Sequence, residues 1–120
     1  MSFTGLIAWQ KSHQLVLAIL KTTANIHRSD VLKNQIERAA LSISSNIAEG
    51  FGRQTKADKT HFYVMARGST HEIQSQLLVA RDPNKITKEE FDRLATLSLD
   101  PAKLLHGLIR SLNKERNAFS

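Results

Sequence analysis

The chain has no cysteine, so disulfides, thiolate metal ligands and a cysteine nucleophile are all excluded. That fits a reducing compartment. Proline and glycine are scarce too, two and five in 120 residues, which leaves little of the punctuation that hairpins and strands require. No apolar run approaches the roughly 18–20 residues of a membrane span. Met1-Ser2-Phe3-Thr4-Gly5 has neither the basic nor the apolar stretch of a signal peptide. A soluble, cytoplasmic protein with no membrane partner is expected. Acidic residues are in deficit as well: 17 Lys and Arg face 11 Asp and Glu, giving a net charge of +6. A balance of this kind favours polyanions, chiefly RNA or DNA, although solvated helix faces produce the same composition.

The signatures of catalysis are missing in the same way. None of the five histidines forms H-x-x-x-H, and no Glu precedes a His by three residues, so the di-iron bundle motif is absent. There is no Walker motif. Gly50 and Gly52 flank Phe51, but Thr55 stands where a G-x-G-x-x-G loop needs its third glycine. No G-x-S-x-G elbow occurs. We therefore assign no catalytic residue, no cofactor and no metal ligand, and expect a protein that is not an enzyme.

What is present is helical periodicity along almost the whole length. Four helices are expected, at about 6–26, 31–50, 56–81 and 88–114, forming one all-α domain over 1–120. The first carries the stripe Leu6, Trp9, His13, Val16, Leu17 and Leu20. The second turns Leu32, Ile36, Ala40, Ile43 and Ile47 inward. The third starts near Thr55 or Lys56 and aligns Phe62, Met65, Ala66, Ser69, Ile73, Leu77 and Ala80, with Tyr63, Val64 and Leu78 on another side. It should stop before Asp82-Pro83, because proline disfavours helix in the residue ahead of it. Thr87-Lys88-Glu89-Glu90 is a capping box that opens the fourth helix, followed by Phe91, Leu94, Leu97, Leu105, Leu108 and Leu112. Pro101 should kink or interrupt that helix, and the tail after Lys114 should fray. The short connections imply an antiparallel up-down-up-down four-helix bundle. Apolar residues on more than one face of the helices suggest self-association.

Two segments keep polar groups beside the packed faces: Ser44-Ser45-Asn46-Ile47-Ala48-Glu49-Gly50-Phe51-Gly52-Arg53 and Ala66-Arg67-Gly68-Ser69-Thr70-His71-Glu72. Asn46 lies beside Ile43 and Ile47. Glu49 shares a side with Arg38 and Ser42 and is expected to pair with Arg67 or Arg38, within a subunit or across an interface, because an unpartnered half-buried carboxylate is costly. The rival reading makes Glu49 a general base and Arg67 an anion holder. Gly50 is placed to end helix 2 in a left-handed conformation. Gly68 costs roughly 1 kcal/mol within a helix, and close helix approach is the expected compensation. Basic residues form two clusters. Lys103, Arg110 and Lys114 share one face of helix 4, with Arg116 following, and Arg53, Lys56 and Lys59 gather at the helix 2–3 connection.

Three segments carry a resemblance: Leu6-Ile7-Ala8-Trp9-Gln10-Lys11, the run Gln35 to Arg53 with its Ser45-Asn46-Ile47-Ala48-Glu49-Gly50, and Phe62-Tyr63-Val64-Met65-Ala66-Arg67-Gly68-Ser69 with Glu72 and Leu77. Together they closely resemble the 23S rRNA intervening-sequence proteins, over roughly residues 3 to 112. The resemblance implies a left-handed four-helix bundle that assembles as a barrel-shaped homopentamer, with no established catalytic activity. In such a ring each basic cluster repeats five times, and a +6 chain becomes an assembly of roughly +30. The expected partners are a second copy of the chain and RNA or DNA. The alternatives are a protein-interaction scaffold whose charge is incidental, or an enzyme acting at Glu49 and Arg67.

Overall fold

Three of the four helices begin where a side chain takes up a free backbone N–H of the first turn, while the first helix follows Leu6 with no side-chain cap. In the computed structural model, which describes residues 2–118 and side chains as far as residue 115, a short 3-10 turn at Phe3–Gly5 leads into α1 (Ile7–Thr23), α2 (Val31–Gly52), α3 (Lys56–Arg81) and α4 (Lys88–Ala118). Asp30 caps α2, its Oδ1 accepting from Lys33 N at 3.0 Å. Thr55 caps α3 by accepting from Asp58 N at 3.1 Å. The capping box of α4 closes reciprocally: Glu90 N donates to Thr87 Oγ1 at 3.0 Å, and Thr87 N donates to Glu90 Oε1 at 2.8 Å. The α3–α4 turn is completed by Asn84 at φ 61°, a conformation asparagine tolerates better than most residues.

Contacts between helices fix their directions. Lys56 reaches Glu115, Arg67 reaches His106, Gln74 reaches Ser98 and Arg81 covers the Phe91 ring, so each step forward along α3 is matched by an equal step back along α4. On α2 and α3, Ser42 meets Ser69 and Gly50 meets Tyr63. On α1 and α4, Lys11 meets Asp100 while Gly5–Ala8 lie along Leu104–Ser111. These pairings are antiparallel, which orders the bundle up-down-up-down. Among the described residues each helix packs against its two neighbours in the ring α1–α2–α3–α4 and not against the one diagonally opposite. The molecule measures 51 × 22 × 21 Å, close to the roughly 46 Å that a helix of α4's length spans.

The core is a column of Leu15, Ile19, Ile43, Ile47, Ile73, Leu77, Leu94 and Leu105, all fully buried. Each such side chain contributes about 1.5–3 kcal/mol on burial. The hydroxyls inside the core bond within their own helices: Ser12 to Ala8 O at 2.7 Å, Thr23 to Ile19 O at 2.9 Å, Thr70 to Arg67 O at 2.6 Å and Ser98 to Ala95 O at 2.7 Å. That removes the penalty of burying an unmet donor.

Several expectations need correction. The buried side of α1 is Ala8, Ser12, Leu15, Val16, Ala18, Ile19 and Thr23; of the anticipated stripe only Val16 is fully buried, and His13, Leu17 and Leu20 are exposed. Trp9 is half-buried against the core, stacking on His13 with centroids 4.8 Å apart and meeting Phe3 edge-on at 5.3 Å. On α3, Tyr63 is in the core and Met65 is 45% exposed, the reverse of the expected arrangement. Gly50 does not end α2 in a left-handed conformation. The helix continues to Gly52, and a Cβ on Gly50 would stand 2.8 Å from Tyr63 Cε1, so glycine is there to admit the ring. Gly68 has open space around it instead of a neighbouring helix of the same chain. Pro101 does not interrupt α4, which runs through it with the ring fully buried, and the helix extends past Lys114 to Ala118. The Arg116 side chain lies outside the described residues.

Candidate nucleic-acid interface

The two basic clusters have different fates. At the α2–α3 connection every cation is engaged by the fold. Lys59 Nζ donates to Phe51 O at 2.7 Å and to Gly50 O at 3.3 Å, joining Arg53 N, which also donates to Gly50 O, in meeting the carbonyls at the end of α2. Arg53 pairs with Glu49 at 3.5 Å and lies over the Phe62 ring at 4.6 Å. Lys56 pairs with Glu115 of α4 at 3.2 Å. These interactions join α2 to α3 and α3 to α4, and carboxylates face two of the three cations.

The α4 cluster faces outward with little neutralisation. Arg110 and Lys114 line a groove of about 380 Å³ together with Arg67, His106, Ile109 and Asn113. Arg67 comes from α3 and the other five from α4, and no carboxylate is among them. Arg67 Nη1 lies 3.4 Å from His106 Nδ1. A guanidinium only donates, so Nδ1 is the acceptor and the proton of a neutral His106 sits on Nε2. Ile109 forms the buried floor. Three permanent cations around one concavity, with a histidine and an amide between them, suit an anion with several acceptor oxygens.

Lys103 does not join this group, although it shares the helix face. It lines a second groove, about 770 Å³, between the start of α1 and the middle of α4, with Lys11, Asp100 and the apolar side chains Leu6, Ile7, Leu104 and Leu108. There Lys11 lies 4.0 Å from Asp100.

The polar residues singled out beside the packed faces also separate. Glu49 is exposed and its partner within the chain is Arg53, neither Arg67 nor Arg38. The helical step of four residues brings Arg53 to it before either of the others can reach. Arg38 is exposed on α2. Asn46 is half-buried and donates to Ser42 O at 2.9 Å and Ser42 Oγ at 3.0 Å, and Ser69 Oγ donates to Ser42 Oγ at 3.0 Å. This short polar relay fixes α2 against α3 inside an otherwise apolar seam. Glu49 and Arg67 are therefore on separate features and do not form an acid–base pair within the chain. Sequence reasoning did not single out His106. Its place depends on the register between α3 and α4, which no spacing along a single helix reveals.

Among the described residues no three His, Asp or Glu side chains come together as metal ligands, and no helix is long and apolar enough to cross a membrane.

Comparison with known proteins agrees with this architecture. No curated protein matches the chain. Among solved structures, a protein of unknown function from the S23 ribosomal protein family of Bacteroides thetaiotaomicron, determined at 1.70 Å, is 26% identical. The match covers 87% of this chain and 96% of that one, with a TM-score of 0.80. Residues 4–107 match the family described as 23S rRNA-intervening sequence protein. With that match spanning most of the bundle, from the start of α1 into α4, the chain belongs to the 23S rRNA-intervening sequence protein family.

Proposed function

We propose that this protein is a non-enzymatic, cytoplasmic homo-oligomer that binds nucleic acid, alone or within a nucleoprotein, through the basic α3–α4 face. The observation that carries the proposal is the groove in which Arg67, Arg110 and Lys114 converge with no carboxylate among its lining residues. The structural cations at the α2–α3 connection supply a contrast: they are held by backbone carbonyls, Glu49 and Glu115. Assembly multiplies the groove. Leu17 and Leu20 on α1, Leu41 on α2, Val64, Met65, Leu78 and Val79 on α3, and Leu99 on α4 are large apolar side chains left exposed on the single chain, and association of copies would cover such surface. A homopentamer would present five grooves and bind a flexible polyanion with avidity.

The test is binding of purified, nuclease-treated protein to labelled RNA and DNA across a salt series, with the mass in solution measured on the same sample. Affinity that falls steeply with salt and is abolished in the Arg110→Ala, Lys114→Ala double variant supports the proposal. An intact oligomer that binds neither nucleic acid at low salt sinks it and directs attention to a protein partner.

A further inference from the structure

We infer that the groove between α1 and α4 binds a free anionic amphiphile, a carboxylate carried on a straight hydrocarbon chain. The groove encloses about 770 Å³. That lies within the roughly 300–1,000 Å³ of small-molecule sites, which are lined mainly by apolar side chains with a few polar groups that orient the ligand. Its chemistry is divided along its length. Lys11 meets Asp100 at one end, with Lys103 beside them on α4, while Leu6, Ile7, Leu104 and Leu108 line the stretch beyond. Ile7 is 60% exposed, a large apolar side chain that the fold itself leaves uncovered. Leu6, Leu104 and Leu108 are only partly buried against the core, so each keeps apolar surface for a ligand to cover. Gly107 holds this stretch open: it lines the groove from within α4, and a Cβ there would meet nothing within 4 Å. From Lys103 to Ser111 α4 rises about 12 Å, the length of an extended chain of about ten carbons.

The charge at the polar end selects the head group. Lys11 and Asp100 stand 4.0 Å apart and offset each other. Lys103 is exposed, and among the described residues no carboxylate pairs with it. The lining therefore carries one uncompensated positive charge beside its apolar stretch. A carboxylate placed there gains a charge-assisted hydrogen bond from Lys103, and the chain behind it takes the surface of Ile7 and Leu108 out of water. A helix of a second copy is the competing occupant. It would cover the same apolar stretch but would also take Lys11, Asp100 and Lys103 out of water, which is costly for charges so loosely paired. An amphiphile leaves those groups hydrated. The site is separate from the α3–α4 groove, with which it shares no lining residue, so each can be tested with the other intact.

The experiment is a calorimetric titration of the full chain in its native assembly with sodium hexanoate, octanoate and decanoate, each kept below its micelle-forming concentration, and with decyltrimethylammonium bromide. Decanoate is expected to bind saturably, one per chain. Affinity should rise by up to about fourfold for each methylene added between hexanoate and decanoate, as burial of a methylene implies. The cationic amphiphile should bind several times more weakly than decanoate. Lys103→Gln should weaken decanoate severalfold and narrow its lead over the cation. Gly107→Leu should fill the apolar stretch and flatten the gain from octanoate to decanoate. Arg110→Ala, in the other groove, should bind decanoate as wild type does. Mass in solution and circular dichroism confirm assembly and fold in each variant, and the exposed Lys103 change keeps the test decisive if Gly107→Leu does not fold. No saturable binding of decanoate, equal affinity for the two head groups, or wild-type affinity in every folded variant overturns the inference. Binding that emerges only when dilution separates the chains also overturns it, and makes the groove a contact between copies.

Discussion

An added methyl at Gly50 would stand 2.8 Å from Tyr63 Cε1 and 3.1 Å from Phe62 Cβ, whereas at Gly68 it would meet nothing within 4 Å. Gly50→Ala should therefore push α2 and α3 apart and cost about 1–3 kcal/mol, as overpacking of a close approach does. Gly68→Ala should gain up to about 1 kcal/mol from helix propensity. Urea unfolding of both variants checks the pair. A Gly50→Ala protein as stable as wild type would remove the close-approach explanation. Tyr63, which fills the space Gly50 leaves, has its phenol pushed above the ordinary 10.0 by burial. The folded state thus retains that proton where the unfolded chain begins to release it. Its contribution is complete below pH 10 and disappears as pH rises beyond it. Tyr63→Phe should lessen the alkaline fall in stability, read from melting temperatures on either side of pH 10.

At the scale of the helix, both ends of α3 and the start of α4 were plain in the sequence because each rests on local chemistry, whereas the C-terminal ends of α1, α2 and α4 lie elsewhere than expected. Thr87 with Glu90, Thr55 ahead of Lys56, and Asp82-Pro83 act within four residues, and α3 begins and ends where those signals place it. The rotation of α1 was not legible. Leu17 and Leu20 are exposed, while Ala8, Ser12 and Ala18 share the buried side with Leu15, Val16 and Ile19, a rotation set by packing against the other helices and not by spacing along α1 alone. Pro101 misled for a related reason. The cost of its missing N–H is local, but its ring is fully buried, a gain that only the assembled core reveals. In the candidate site, Arg110 and Lys114 were visible from spacing along α4, while Arg67 and His106 joined them only through the antiparallel register. Asp30 belongs to two elements at once: it caps α2 through Lys33 N and is bonded by Lys85 from the α3–α4 turn. The Lys85 ammonium and the Lys33 N–H hold its carboxyl below the ordinary 3.8. The depressed value means that this tie is present above the unfolded value and disappears as pH falls through the folded one. Asp30→Asn should keep the cap and lose the ion pair, so that its thermal stability approaches that of wild type as pH is lowered toward 3. A difference that stays constant across that interval would contradict the assignment.

For the whole molecule, charge and exposed apolar surface are the two properties that a lone bundle leaves unused. The +6 excess is not spread evenly in its effect, since the cations at the α2–α3 connection are met by backbone carbonyls and carboxylates, and those lining the α3–α4 groove have no carboxylate among the lining residues. The two sets can be separated by the salt dependence of binding, because removing one phosphate-neutralising cation makes the slope shallower by about 0.7 for a single strand. The most direct measurement compares that slope for single-stranded RNA in wild type, in Arg67→Gln/Arg110→Gln/Lys114→Gln, and in Arg53→Gln/Lys56→Gln, with the mass in solution confirming intact assembly in each. The account predicts a shallow slope and weak binding for the α3–α4 triple variant and a near wild-type slope for the α2–α3 double variant. A wild-type slope in the α3–α4 triple variant, or a collapse confined to the α2–α3 double variant, would contradict it.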